Sequence, residues 1–93
     1  MTKIYVGDIG SEIILETGMD LTGALSLNIV GRKPDMSEFT WTATQYDITN
    51  VRHVTVSNDL DIDGIWTLQS YVTMINGSWL GESVSLEVFR KFN

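Results

Sequence analysis

The sequence predicts a small all-β domain, an antiparallel β-sandwich of about seven strands, and three observations carry that prediction. Apolar residues alternate with polar ones at period two in segment after segment, the pattern of half-buried strands. Glycine-, aspartate- and asparagine-rich turns separate these segments at intervals of some 8 to 12 residues. No window combines a 3.6-residue apolar period with a helix cap and a stop signal.

The strongest strand signal starts at Trp66. Leu68, Val72 and Met74 fall on even positions and Thr67, Gln69, Tyr71 and Thr73 on odd ones. Earlier in the chain, Ile4 and Val6 alternate with Lys3 and Tyr5 before the turn Gly7-Asp8-Ile9-Gly10, which predicts a short terminal or edge strand. Ser11 to Glu16 predicts a second strand with Ile13 and Leu15 inward and Glu12, Ile14 and Glu16 outward. After the glycine-bounded loop 18–24, Leu25, Leu27 and Ile29 mark a third.

Arg32-Lys33-Pro34-Asp35-Met36 holds the only proline. Pro-Asp suits the centre of a type I turn, because proline presets φ near −65°. Phe39, Trp41 and Ala43 then alternate with three threonines, so a hairpin with one hydroxyl-rich face is expected. Residues 45–50 combine alternation with turn formers and define no element. Val54 and Val56 mark a fifth strand starting near Val51. Asn76-Gly77 is a strong type I′ hairpin dipeptide, expected to join the Trp66 strand to a last one in which Val84, Leu86 and Val88 point inward.

Composition narrows the function classes. The 93 residues make one domain, 1–93, 43% hydrophobic, with three Trp and a net charge of −6. An acidic field of that sign repels a phosphate backbone, so nucleic acid is not an expected partner. There is no Cys, which removes disulfides and thiolate metal sites. No run approaches the ~20 apolar residues of a membrane-spanning helix, and the first residues lack a signal-peptide core. A soluble chain made in the cytoplasm, without a membrane partner, is expected.

No catalytic constellation is legible. His53 is the only histidine, and no Gly-x-Ser-x-Gly elbow presents a nucleophile, so the chain is read as a non-enzyme without a cofactor. Asp59-x-Asp61-x-Asp63-Gly64 matches the first half of a calcium loop. Ser70 stands where that loop needs its bidentate glutamate, and the residues after Gly64 read as strand. A solvated turn with backbone-capping aspartates is therefore expected, and no metal site. Asn76-Gly77-Ser78 fits a glycosylation acceptor but reads as hairpin turn.

The candidate contact residues are Asn76, Gly77, Trp79, Leu80 and Phe89. Trp79 and Leu80 fall in or just beyond the hairpin tip, where a large apolar pair either folds back on the core or meets a partner. Phe89, on the outward parity of the last strand, poses the same alternative.

Asp61-x-Asp63-Gly64-x-Trp66 resembles the corner of immunoglobulin domains, with Trp66 in the place of the corner tyrosine and Leu68 in that of the second core cysteine. Tyr5-Val6-Gly7-Asp8-Ile9-Gly10, Asp20-Leu21-Thr22-Gly23-Ala24, Arg32-Lys33-Pro34-Asp35, Trp41-Thr42-Ala43 and Asp59-Leu60-Asp61 with Trp66-Thr67-Leu68-Gln69 extend the likeness over nearly the whole chain. In that order and spacing they resemble small proteins of tailed phages and prophages, similar to the immunoglobulin-like N-terminal domain of phage baseplate upper proteins. That family usually reads Lys-Pro-Asp-Gly, so Met36 departs from its pattern and implies a different turn type.

The resemblance implies an immunoglobulin-like fold and a virion component, synthesised in the bacterial host cytoplasm. Such a component would be attached to tail, baseplate or capsid and work through contacts with other virion proteins or copies of itself. It transfers no catalytic residues. The rival it leaves open is a host-adhesion module that binds glycan, with Trp79, Trp41 or Tyr71 as stacking platforms. An adaptor needs an apolar patch or an open strand edge, whereas a glycan site needs an exposed aromatic flanked by polar hydrogen-bonding groups.

Overall fold

A computed structural model describes residues 3–92. Among these there is no helix, and the strands are β1 (Ile4–Tyr5), β2 (Glu12–Glu16), β3 (Ser26–Arg32), β4 (Glu38–Thr42), β5 (Thr44–Gln45), β6 (Asn50–Val54), β7 (Gly64–Met74), β8 (Gly77–Leu80) and β9 (Val84–Phe89). Nine segments take the place of the seven expected. At Ala43 the chain leaves one sheet for the other, so β4 pairs with β3 while β5 pairs with β6. Beyond the last turn, Gly77–Leu80 pairs as a strand of its own instead of forming a tip.

The larger sheet runs β1-β9-β7-β3-β4, with β8 also paired to β7, and the smaller runs β2-β6-β5. Every pairing is antiparallel except β1 with β9. Even-numbered residues of β7 face inward together with Leu27 and Ile29 of β3, which are paired with Val72 and Ser70. Ile13, Leu15 and Val51 of the smaller sheet join Ile29, Trp41, Trp66, Leu68, Val72 and Val88 in one apolar cluster. The result is a β-sandwich-like all-β fold with its core between two sheets.

Trp66 is the largest fully buried side chain, at 0% exposure. Its indole N–H donates to the Ile62 carbonyl at 3.1 Å, four residues upstream, and so ties the start of β7 to the preceding turn. Phe39 meets its ring edge-on at 5.3 Å between centroids and Trp41 lies at 6.0 Å. The Lys33 ammonium sits 5.4 Å from the ring centroid and also holds the Asp61 carboxylate at 2.9 Å.

Several readings of the sequence are corrected. β6 starts near Val51 as expected but ends at Val54, so Val56 lies beyond it, and its inward residues are Val51 and His53, followed by Thr55 just after the strand. His53 occupies the inward place because its ring stacks on Trp41 at 4.7 Å and 14°. Val84 has the inward parity but is exposed, because it lies at an open sheet edge, and Leu25 is exposed just ahead of β3. The last hairpin pairs Met74 with Gly77, so its turn is centred on Ile75-Asn76, one residue earlier than expected. Neither has a positive φ, so this is not the type I′ turn.

The Met36 N–H closes on the Lys33 carbonyl at 2.9 Å around Pro34-Asp35, and Met36 adopts φ 74°, the left-handed conformation a glycine would take. A side chain there costs roughly 1–2 kcal/mol. Met36→Gly is therefore expected to stabilise the protein by about 1 kcal/mol in chemical denaturation, after the added chain entropy of glycine is subtracted. Trp66→Ala should destabilise by about 3–5 kcal/mol, the range for emptying a buried aromatic site. A loss below about 1 kcal/mol would remove Trp66 from the centre of the core.

Candidate interaction surface

β7 supports the surface because its 11 residues outrun the strands around it. One edge pairs with β3 and the other with β9 over Gly64–Leu68 and then β8 over Tyr71–Met74. Between Leu68↔Val84 and Tyr71↔Leu80, Gln69 and Ser70 on β7 oppose Gly81, Glu82 and Ser83, a β-bulge. The Gly81 N–H donates to the Ser70 carbonyl at 2.9 Å, and the Gln69 amide donates to the Gly81 carbonyl at 3.0 Å. A Cβ on Gly81 would overlap the Ser70 hydroxyl, which is buried without a hydrogen-bond partner. The bulge thus needs a residue without a side chain.

Trp79 and Leu80 do not act as a pair. Trp79 is opposite Val72 and so lies on the inward face, while Leu80 is opposite Tyr71 on the outward face. The smaller sheet stops short of this end, leaving Trp79 43% and Leu80 56% exposed. The Trp79 indole lies along its own strand over Gly77, where an added Cβ would come within 3.1 Å of the ring. Asn76 and Ile75 are exposed at the turn, and exposed Leu25 is bonded through its N–H to the Thr73 carbonyl at the same end.

Phe89 is not part of this group. It pairs with Tyr5 near the start of β7, roughly 30 Å along the sheet from Trp79 at 3.4 Å per residue. There its ring meets Tyr5 at 6.1 Å and lies under the Lys3 ammonium at 4.7 Å, so its apolar face is covered.

The other candidate sites resolve into structural contacts. The Asp59 carboxylate accepts from the Val56 N–H and lies 2.8 Å from His53 Nε2, while Asp61 turns away to Lys33. Among the described residues no group of three or more His, Cys, Asp or Glu is placed to hold a metal ion. Asp20, Asp35 and Asp47 accept local hydrogen bonds, above all from Thr22, Ser37 and Asn50, which hold all three below the ordinary value of 3.8. Trp41, read as a possible stacking platform, is buried against Trp66 and His53 and is excluded from that role. Tyr71 is half-buried on the outward face, near a shallow depression whose lining includes Val30, Gln69, Leu80 and Ser83 together with the charged Arg32 and Glu38.

Sequence reasoning missed β8 and the bulge. The available signal was Ser78-Trp79-Leu80-Gly81, a charge-free continuation of the strand pattern that a glycine interrupts at the position where the ladder breaks. Gly81→Ala is expected to cost about 1–3 kcal/mol, as overpacking does. Ser70→Ala alone should be near neutral, because it removes a hydroxyl that has no partner. In the Ser70→Ala background the cost of Gly81→Ala should fall by at least half, measured as a coupling in a double-mutant cycle. Additive effects would contradict the packing of Ser70 against Gly81. Compared with known proteins, the chain matches no family model, no curated protein and no solved structure.

Proposed function

We propose that this chain is a non-enzymatic immunoglobulin-like adaptor or structural component of a tailed-phage virion, acting through protein–protein contacts. The fold part of this reading is supported by connectivity. β3, β7 and β9 lie together, as strands C, F and G do in immunoglobulin domains, and β2, β6 and β5 correspond to B, E and D. The Trp66 N–H bonded to Ile62 four residues upstream parallels the corner tyrosine hydroxyl that bonds back to the backbone. The virion part rests on the sequence resemblance.

The observation that carries the adaptor reading is β8. Its only strand partner among the described residues is β7, and it projects Trp79 and Leu80 to opposite faces beyond the core. Large apolar side chains next to an unpaired edge are the material of interface hot spots and of strand addition. The glycan-binding alternative keeps two footholds, exposed Trp79 beside Asn76 and Ser78, and the outward face around half-buried Tyr71, with Asn28 and Leu80 directly opposite it.

The test is to replace Trp79 with Ser and Leu80 with Asp, confirm that the melting temperature is retained, and measure incorporation into particles. Loss of incorporation at unchanged stability is the expected result. Normal stoichiometry in the particle would remove this strand from the contact. Binding of the purified chain to host-surface glycan, abolished by Trp79→Ala or by Tyr71→Ala, would favour the adhesion reading instead.

A further inference from the structure

The exposed strand edges among the described residues are not equivalent. β1 and β5 are two residues long, β2 carries Glu12, Glu16 and, through Arg52, an ion pair, β4 opens with Glu38 paired to Arg32, and the part of β9 that β1 leaves open carries Glu87. Short length and charge are the usual guards against edge pairing. β8 has neither proline nor charge, and no charged residue occurs anywhere from Gly64 to Gly81. Its flanking surface is apolar on both faces, through Trp79 and Leu80.

We infer that β8 pairs with β8 of a second copy, antiparallel and centred on Trp79, so that the two larger sheets become continuous across a two-fold axis. This deepens the adaptor reading and shares with it the use of Trp79 as a contact residue. Three observations select a second copy as the occupant. A chain of net charge −6 repels its own copy, and that repulsion is least where both contact surfaces are free of charge, as they are along this edge. A strand edge is complementary to itself when turned antiparallel, which makes the contact isologous and closes it at two. A partner chosen by charge would find nothing here to pair with.

The register follows from face and charge. A two-fold axis perpendicular to the sheet keeps inward residues opposite inward residues. Trp79 therefore meets Trp79 of the copy, Ser78 meets Leu80, and Gly77 meets Gly81. Glu82, the next charge along the chain, then falls opposite Asn76 of the copy, whose amide can donate to it. The two Glu82 positions lie roughly 20 Å apart along the strands at 3.4 Å per residue, beyond the screening length of about 8 Å at physiological salt. Centring the pair on residue 82 would instead set two carboxylates face to face. Ladder pairing over so few residues makes the association concentration-dependent and not permanent.

Sedimentation equilibrium of the purified chain, from about 10 μM to about 1 mM, reads this directly. The mass is expected to rise from 10.4 kDa towards twice that value. The dimer fraction should increase as salt is raised from about 0.05 to about 0.5 M, because salt screens the repulsion between two acidic chains. Trp79→Glu sets like charges across the axis and should weaken association at least tenfold, whereas Trp79→Phe should retain it. Ile9→Glu adds the same charge to an exposed site at the other end of the molecule and should leave association within about twofold of the parent. A chain that stays monomeric throughout, or a dimer as sensitive to Ile9→Glu as to Trp79→Glu, would overturn the pairing. A monomer that still needs Trp79 and Leu80 to enter particles would overturn the two-fold contact alone and leave the adaptor reading standing.

Discussion

The fold depends on the way the Trp66 indole is held. Its N–H bond to Ile62 fixes the turn that launches β7, and its ring is packed by Phe39, Trp41 and Lys33. Trp41 passes the contact on to His53 of the smaller sheet, and His53 returns it to the same turn through Asp59 at 2.8 Å. Trp66, Trp41, His53 and Asp59 therefore form a closed loop of contacts joining both sheets to one turn. With no cysteine in the chain, this loop takes the place a disulfide has in many small sandwich domains. Lys33 contributes from the side, since the ammonium that pairs with Asp61 also lies near the indole.

What is held firmly at one end of β7 is left uncovered at the other. β7 has 11 residues and β6, in the facing sheet, has five, so the smaller sheet cannot cover the larger one to its tip. The described residues accordingly form an elongated body of 45 × 25 × 20 Å. Val72 still belongs to the core, but Trp79, directly opposite it, is close to half exposed. In a domain of this size, burying every large apolar side chain would be the expected economy. Tyr46 and Phe92 also stay outside, but of the three exposed aromatics Trp79 alone lies in a strand, and it marks the region where contact with another molecule adds most.

Much of this architecture was legible because period two is a strong signal when one face is buried. The even parity of Trp66, Leu68, Val72 and Met74, and the inward Ile13 and Leu15, follow from alternation alone. The failures have physical causes of their own. The fifth strand starts near Val51 as expected but ends at Val54, so Val56 lies beyond it, and the place on Trp41 is taken by a stacked histidine that no period-two pattern of valines reveals. Met36 adopts a left-handed φ that its identity disfavours, since the turn geometry set by Pro34-Asp35 outweighs the local cost. Ala43 lets the chain switch sheets because it is small and buried, which no periodicity reveals. Trp79 and Leu80 were legible as a candidate contact, but their opposite faces and their strand depend on the ladder with β7. The shift of the hairpin by one residue, from Asn76-Gly77 to Ile75-Asn76, moved that whole ladder.

One end of β7 is locked by Trp66 and the other is left open at Trp79. The exchange of the three tryptophan indole N–H groups with deuterated solvent, followed by NMR, measures both ends at once. Trp66 is expected to exchange only through global unfolding, at a rate that tracks the stability of the whole domain as denaturant is added. Trp79 is expected to exchange freely, many orders of magnitude faster. A Trp66 indole that exchanges as fast as that of Trp79 would show that this end of β7 is not locked.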